Sequence, residues 1–291
     1  MSLLCLLQYL VLDACQSECQ VTSGNRNLQN TLVLQEVLKL QFNLTHLFPE
    51  LAPDFASSVK EILNLLCCQD YDSEALRRPL QPPVTQLLNA LTSLDWSEVS
   101  LHDQYARDAP TGTIKVLMHI LDKCVRAYSA EEMEKEAASL LVVLRQYYAA
   151  GDQDIKQCMQ AELLPREHER EKPLGQSDTL FSRLLQLSMS PFTPTLRDTI
   201  SGLMFELSNK DVDTFIKNVG YGYAAGFLAN HNIPLGAPQA GGISAVDESS
   251  SRHINPVTGQ YVDQEEVDTS PPMTEEEKER EAERLFVLFE R

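Results

Sequence analysis

Apolar positions recur along most of the chain at helical spacing. Val33, Val37, Leu40, Leu44 and Leu47 fall at i, i+4, i+7, i+11 and i+14, one continuous stripe that predicts a long helix with this face in a core. Ile62, Leu65 and Leu66 repeat the pattern before Cys67. Pro82 and Pro83 stand where a first turn tolerates proline and open the apolar run Val84–Leu91. Ile114–Tyr128, Ala130–Tyr148, Leu180–Ser188 and Leu196–Leu207 predict further amphipathic helices. There is no convincing alternating strand and no Asn-Gly hairpin turn, so the expected fold class is all-α.

Four of these segments resemble one another. Glu36–Leu44, Val84–Leu91, Ala137–Leu144 and Asp198–Leu207 each combine an apolar helix with Asn, Thr or Ser near its end. They are roughly 45 to 60 residues apart, close to the armadillo/HEAT period of about 40–47 with loop insertions. Each such unit needs a stacked neighbour to cover its apolar face, which predicts a curved helical-repeat superhelix with a long groove. A plain helical bundle satisfies the same periodicity.

The pattern changes after Leu235. Gly236–Ser244 and Asp247–Ser251 lack core-forming periodicity and read as a partly disordered, acidic linker. Thr274 and Glu277 then form a capping box, and Ala282, Leu285 and Phe289 make one apolar stripe, with Phe286 and Leu288 beside it. The expected organisation is therefore repeats over 1–235, a flexible linker over 236–272 and a C-terminal docking helix over 273–291. The apolar start, Met1 to Leu12, imitates a signal peptide but lacks a basic leading region and a small-residue cleavage site, and it is too short to span a bilayer. A buried helix is expected there, with no integral membrane segment.

Composition narrows the partners. With 24 Lys and Arg against 42 Asp and Glu, the formal charge is −18. Nucleic acid and anionic membranes are polyanions, so both are disfavoured and a basic protein surface is favoured. Seven cysteines form no regular framework, and several sit in apolar runs, as expected of a reducing, cytoplasmic compartment. Six scattered histidines match no zinc signature, and Cys15 and Cys19 have no second pair, so no metal and no cofactor are expected. Gly220, Gly222 and Gly226 lack the preceding strand of a dinucleotide fingerprint; Gly222, Ala225 and Gly226 read instead as small residues for close packing. Without a nucleophile–base pair or a Walker loop, the chain is not expected to be an enzyme.

The helix over Val33–Leu47 carries the best binding candidates. Opposite its stripe lie Gln35, Lys39, Phe42 and His46, again at helical spacing. An aromatic ring on a polar face is either a contact surface or packed beneath a loop.

Several stretches resemble the synembryn family, the "resistance to inhibitors of cholinesterase" proteins. They are Phe215–Ala229, Ile254–Gly259 and Met273–Ala282, with Pro79–Leu91 and Leu163–Gly175 in support. The linker's proline-rich wording, without the acidic phosphosite cluster of animal members, is similar to fungal ones. The resemblance implies an armadillo/HEAT superhelix that serves as chaperone and guanine-nucleotide exchange factor for heterotrimeric G-protein α subunits, gripping the subunit's C-terminal helix and favouring its nucleotide-free state. It places Phe42 and Asn43 in the groove, Leu285 and Phe289 on the clamping helix, and a phosphorylation site at Ser244, where Asp247 supplies the acid at +3. It also implies that repeats precede Met1, which opens within a unit, so that this chain alone binds weakly. A monomer is expected. The alternative is a passive helical-repeat scaffold for basic partners.

Overall fold

The computed structural model describes residues 3–20, 28–71, 78–97, 99–101, 111–234, 245–246, 252–265 and 275–289. Its elements are α1 (Leu3–Gln20), α2 (Leu28–Leu47), α3 (Ser58–Cys67), α4 (Val84–Thr92), α5 (Thr111–Ala127), α6 (Ala130–Glu136), α7 (Ala138–Ala150), α8 (Gln153–Leu163), α9 (Leu180–Leu187), α10 (Pro194–Leu207), α11 (Val212–Val219), α12 (Tyr221–Asn230) and α13 (Glu275–Phe289). The only strands among the described residues are β1 (Ala245–Val246) and β2 (His253–Ile254), paired antiparallel.

Helix starts follow local chemistry. Ser129 and Glu132 close a reciprocal capping box at α6, while Asp152, Thr179 and Asp211 accept from the backbone N–H three residues on at α8, α9 and α11. The α10 start is capped from a distance. Glu134 of α6 accepts from the N–H groups of Thr195 and Leu196 at 2.9 and 3.3 Å, a carboxylate on the positive helix end. The predicted helix Ala130–Tyr148 is interrupted at Ala137, and this break separates α6, which reaches α10, from α7, which packs on α4.

The helices form two layers. In one, α2, α4, α7 and α10 pack in that order; in the other, α1, α3, α5 and α8 do, with α9 against α5, α8 and α10. The four similar segments of the sequence thus occupy one layer. Between the layers run fully buried residues from every helix pair, among them Leu38, Ile62, Leu87, Leu117, Leu144 and Leu203, in one continuous core. No helix among the described residues is long and apolar enough to cross a membrane.

The α2 stripe corrects an expectation. Leu34, Leu38, Gln41 and Thr45 face the core, whereas Val33, Leu40 and Leu47 are 52%, 49% and 69% exposed. Two interleaved stripes share this helix, and the buried one contains two polar residues, so ranking by hydrophobicity selects the wrong face. Thr45 is accommodated because its hydroxyl donates to the Gln41 carbonyl and lies 2.6 Å from Ser93 Oγ. Gln41 is fully buried with neither side-chain end hydrogen-bonded. The α1 helix is likewise only half covered: Leu7, Val11 and Cys15 are buried, but Leu6, Tyr9 and Leu10 are exposed.

Residues 252–265 lie within the stretch expected to be a flexible linker, yet they pack on the helices. Ile254 and Tyr261 are fully buried. The carbonyls of Pro256 and Val257 accept from Tyr221 and Gly222, the first N–H groups of α12. Arg170, buried, donates from Nη1 to the carbonyls of Lys217 and Gly259, both at 2.9 Å. Arg252 stacks on Tyr261 at 3.9 Å and pairs with Asp263. A hydrophobicity window misses this strap because its buried residues are few and its anchors are backbone carbonyls.

The close-packing glycines also differ from those expected. Gly226 faces open space and Gly222 touches only the Val257 carbonyl, at 3.8 Å. Tight approaches occur instead at Gly151, at Gly175, and, beneath the strap, at Gly220, with φ +83°, and Gly259, with φ +69°, where a Cβ would lie 2.2 Å from Leu174 Cδ1.

Two stability predictions follow from these positions. Gly259→Ala should cost about 2–3 kcal/mol by denaturant titration, because a left-handed conformation and a clash coincide, whereas Gly226→Ala should gain about 0.5–1 kcal/mol in an open helical site. Gln41→Leu should raise stability by about 1–2 kcal/mol, since it removes two buried polar ends that have no partners; an unchanged or lower denaturation midpoint would contradict this.

Candidate partner-binding site

Consecutive helices of the α2–α4–α7–α10 layer are joined by polar rungs. Thr45 meets Ser93 between α2 and α4. Ser139 donates to Asn89, and Gln146 to the Thr92 carbonyl at 3.2 Å, between α4 and α7. Arg145 makes a two-pronged contact with Glu206 at 2.7 and 3.0 Å between α7 and α10, and this carboxylate raises the guanidinium above its usual range. These Asn, Ser and Thr residues, Asn89 near the end of its segment, Ser139 near the start of its own and the others just beyond segment ends, are therefore structural connectors as well as surface groups.

At one end of this layer, α2 and α4 enclose a depression of about 260 Å³ lined by Leu38, Lys39, Phe42, Asn43, Gln86 and Asn89. Three of the sequence candidates, Lys39, Phe42 and Asn43, meet there. Phe42 is half-buried and stacks on the fourth, His46, with ring centroids 5.3 Å apart and planes 17° apart. Lys39 and His46 are exposed, and Lys39 holds Glu36 at 2.7 Å, a surface pair worth little in stability. The stacked ring pair gives the site a flat apolar contact, and the lysine and carboxamides around it give directional polar ones.

Sequence reading missed Gln86 and Asn89, which α4 contributes. The available signal was the internal repeat: Asn89 stands near the end of its segment as Asn43 does in its own. Gln86 Oε1 is buried without a hydrogen-bond partner, an acceptor left open beside the depression. Ala282 of α13 is exposed, while Ser244 and the side chains of Leu285 and Phe289 lie outside the described residues.

Two other depressions are larger. One, of about 310 Å³, lies between α10 and α12 and includes Met189, Arg197, Gly226 and Phe227. The other, of about 520 Å³, includes Arg166, Arg170 and Lys217 at the end of α8 and beside α11. Arg170 is committed there to two carbonyls, so its role is to hold the strap. No cluster able to ligate a metal occurs among the described residues. Burial pushes the Cys124 thiol up to about 12, which fits a core side chain and not a nucleophile.

Comparison with known proteins bears on the whole stack. A synembryn-like chaperone of Schizosaccharomyces pombe is 26% identical over 289 residues, covering 92% of this chain and 53% of that protein. Chaperone Ric-8A of Xenopus laevis is 27% identical over 187 residues, covering 62% of this chain and 34% of its own length. Its Bos taurus counterpart is 28% identical over 190 residues, with 61% and 34% covered. The chain thus spans between a third and about half of the length of these curated relatives. The family described as guanine nucleotide exchange factor synembryn matches residues 4–291, nearly the entire chain, and the protein belongs to that family.

Proposed function

We propose that this protein is a chaperone and guanine-nucleotide exchange factor for a heterotrimeric G-protein α subunit, and that its α2–α4–α7–α10 layer receives the subunit's C-terminal helix. The observation that carries this reading is the meeting of Lys39, Phe42 and Asn43 with Gln86 and Asn89 in one depression. A helix offers a partner an apolar stripe flanked by polar groups, and this surface offers the complement: a half-buried aromatic pair beside carboxamides. The two-layer stack, read as an armadillo/HEAT superhelix, extends the surface along successive helices.

No bond of the nucleotide is broken in such a mechanism, and no catalytic residue, metal or cofactor is required. Capturing the C-terminal helix favours the α-subunit state from which that helix has been withdrawn. The equilibrium shifts only by the difference in affinity between that state and the nucleotide-bound one. By reciprocity, nucleotide weakens the complex to the same degree. The same preference for an open subunit supports the chaperone role, since a newly made subunit is open. Leu285 and Phe289 of α13 supply a second contact. Phosphorylation of Ser244 adds about −1.5 to −2 charge to the chain between the layers and that helix. We place the protein in the cytoplasm, where such subunits are made.

The reading is tested by GDP release from a purified α subunit together with affinity for its nucleotide-free form. Wild type should accelerate release. Phe42→Ala should weaken binding by about tenfold or more, Lys39→Glu by less, and neither should shift the thermal midpoint appreciably. Wild-type affinity in both variants would remove α2 from the interface, and tight binding without acceleration would favour the passive scaffold.

A further inference from the structure

The loop between α9 and α10, residues 188–193, projects from the helical body. Met189 is 55% and Phe192 80% exposed, and Pro191 between them is exposed as well. Pro191 and Pro194 carry no N–H. The loop is held to the end of α9 by bonds from the Met189 N–H to the Gln186 carbonyl and from the Ser190 N–H to that of Leu187. An exposed segment tied by so few bonds opens at little cost.

Three hydroxyls lie in this loop, and their surroundings sort them. Ser188 is buried and donates to the Leu185 carbonyl at 2.7 Å. Thr193 precedes Pro194 but is fully buried. Ser190 precedes Pro191, is half-buried, and makes no hydrogen bond from its Oγ among the described residues. It alone combines a following proline with an accessible hydroxyl.

Beside the loop lies a cation without a partner. The depression of about 310 Å³ between α10 and α12 is lined by Ser188 and Met189 from the loop and by Arg197 from α10. Every other described arginine within residues 78–234 is committed: Arg78, Arg126, Arg145, Arg166 and Arg183 to carboxylates, and Arg170 to two carbonyls. The Arg197 guanidinium, half-buried, makes no ion pair or hydrogen bond among the described residues. In a chain with 42 acidic against 24 basic side chains, that is a site kept open for an anion. The carboxylates nearby are engaged, Asp198 with His231 at 2.7 Å and Glu134 with the first N–H groups of α10.

We propose that Ser190 is a phosphorylation site for a proline-directed serine/threonine kinase, and that Arg197 receives the phosphate. Ser190 Oγ attacks the γ-phosphorus of ATP, the bond from that phosphorus to the bridging oxygen breaks to release ADP, and the hydroxyl proton passes to the kinase's base. The loop gains about −1.5 to −2 charge and three acceptor oxygens. A guanidinium meets such a group with two parallel N–H donors. The new pair ties the loop to α10, at the opposite end of the layer from Phe42.

The test uses the full chain carrying Ser270→Ala, because Ser270 also precedes a proline. It is incubated with a proline-directed kinase and ATP, and the phosphate is located by mass spectrometry. Ser190 should be modified, Ser190→Ala should leave the loop unmodified, and Pro191→Ala should slow the reaction by about tenfold or more. Phosphorus NMR then follows the second ionisation of the phosphate, ordinarily at about pH 6. A neighbouring guanidinium favours the dianion, so the midpoint should lie below that of the phosphorylated Arg197→Gln protein. If circular dichroism shows this variant to be misfolded, the phosphorylated chain unfolded in urea supplies the reference. Phosphate on Thr193 instead of Ser190, or on neither, overturns the site. A midpoint equal to the reference overturns the role of Arg197.

Discussion

Each helix pair in this protein has to be covered on both sides, and most of the architecture answers that requirement. A pair buries one apolar face between the two layers and needs a neighbour on either side for the rest. The interior pairs obtain theirs from the stack, and α11–α12 obtains one from the strap. The strap is consequently part of the folded body. It is held by one buried guanidinium, two left-handed glycines and the carbonyls that complete the α12 start.

This explains where the family resemblance resides. Leu163–Gly175 contains Arg170, Phe215–Ala229 contains the Lys217 carbonyl and Gly220, and Ile254–Gly259 contains the turn that receives both. Three stretches far apart in sequence meet at one junction. Their wording is demanding because geometry there allows few substitutes: Gly259 has no room for a methyl group and Arg170 has no water to fall back on. Part of the recognition signal therefore marks a structural joint, while the candidate binding face on α2 is written in commoner residues.

The all-helical character was legible because amphipathic spacing persists over long segments, and the segments with internal similarity fall on α2, α4, α7 and α10, which pack in one layer. The orientation of α2 was not legible. Hydrophobicity ranks Val33, Leu40 and Leu47 above Gln41 and Thr45, yet the latter pair is buried, Thr45 through Ser93 and Gln41 with no compensating partner. Lys39 and Phe42 were found by the helical face they share with Gln35 and His46, and Asn43 by the family resemblance. Gln86 and Asn89 required knowing that α4 packs next to α2. The strap escaped notice because carbonyl caps and a stacked arginine leave little trace in hydropathy.

The polar rungs have a mechanical consequence. Apolar contacts tolerate sliding, but a hydroxyl pair, a carboxamide on a carbonyl and a two-pronged guanidinium each tie neighbouring helices at one separation. The layer thus behaves as a ruler with its divisions locked: its pitch is set before any guest arrives. A bound helix would have to match that pitch, and the guest, not the host, would do the yielding.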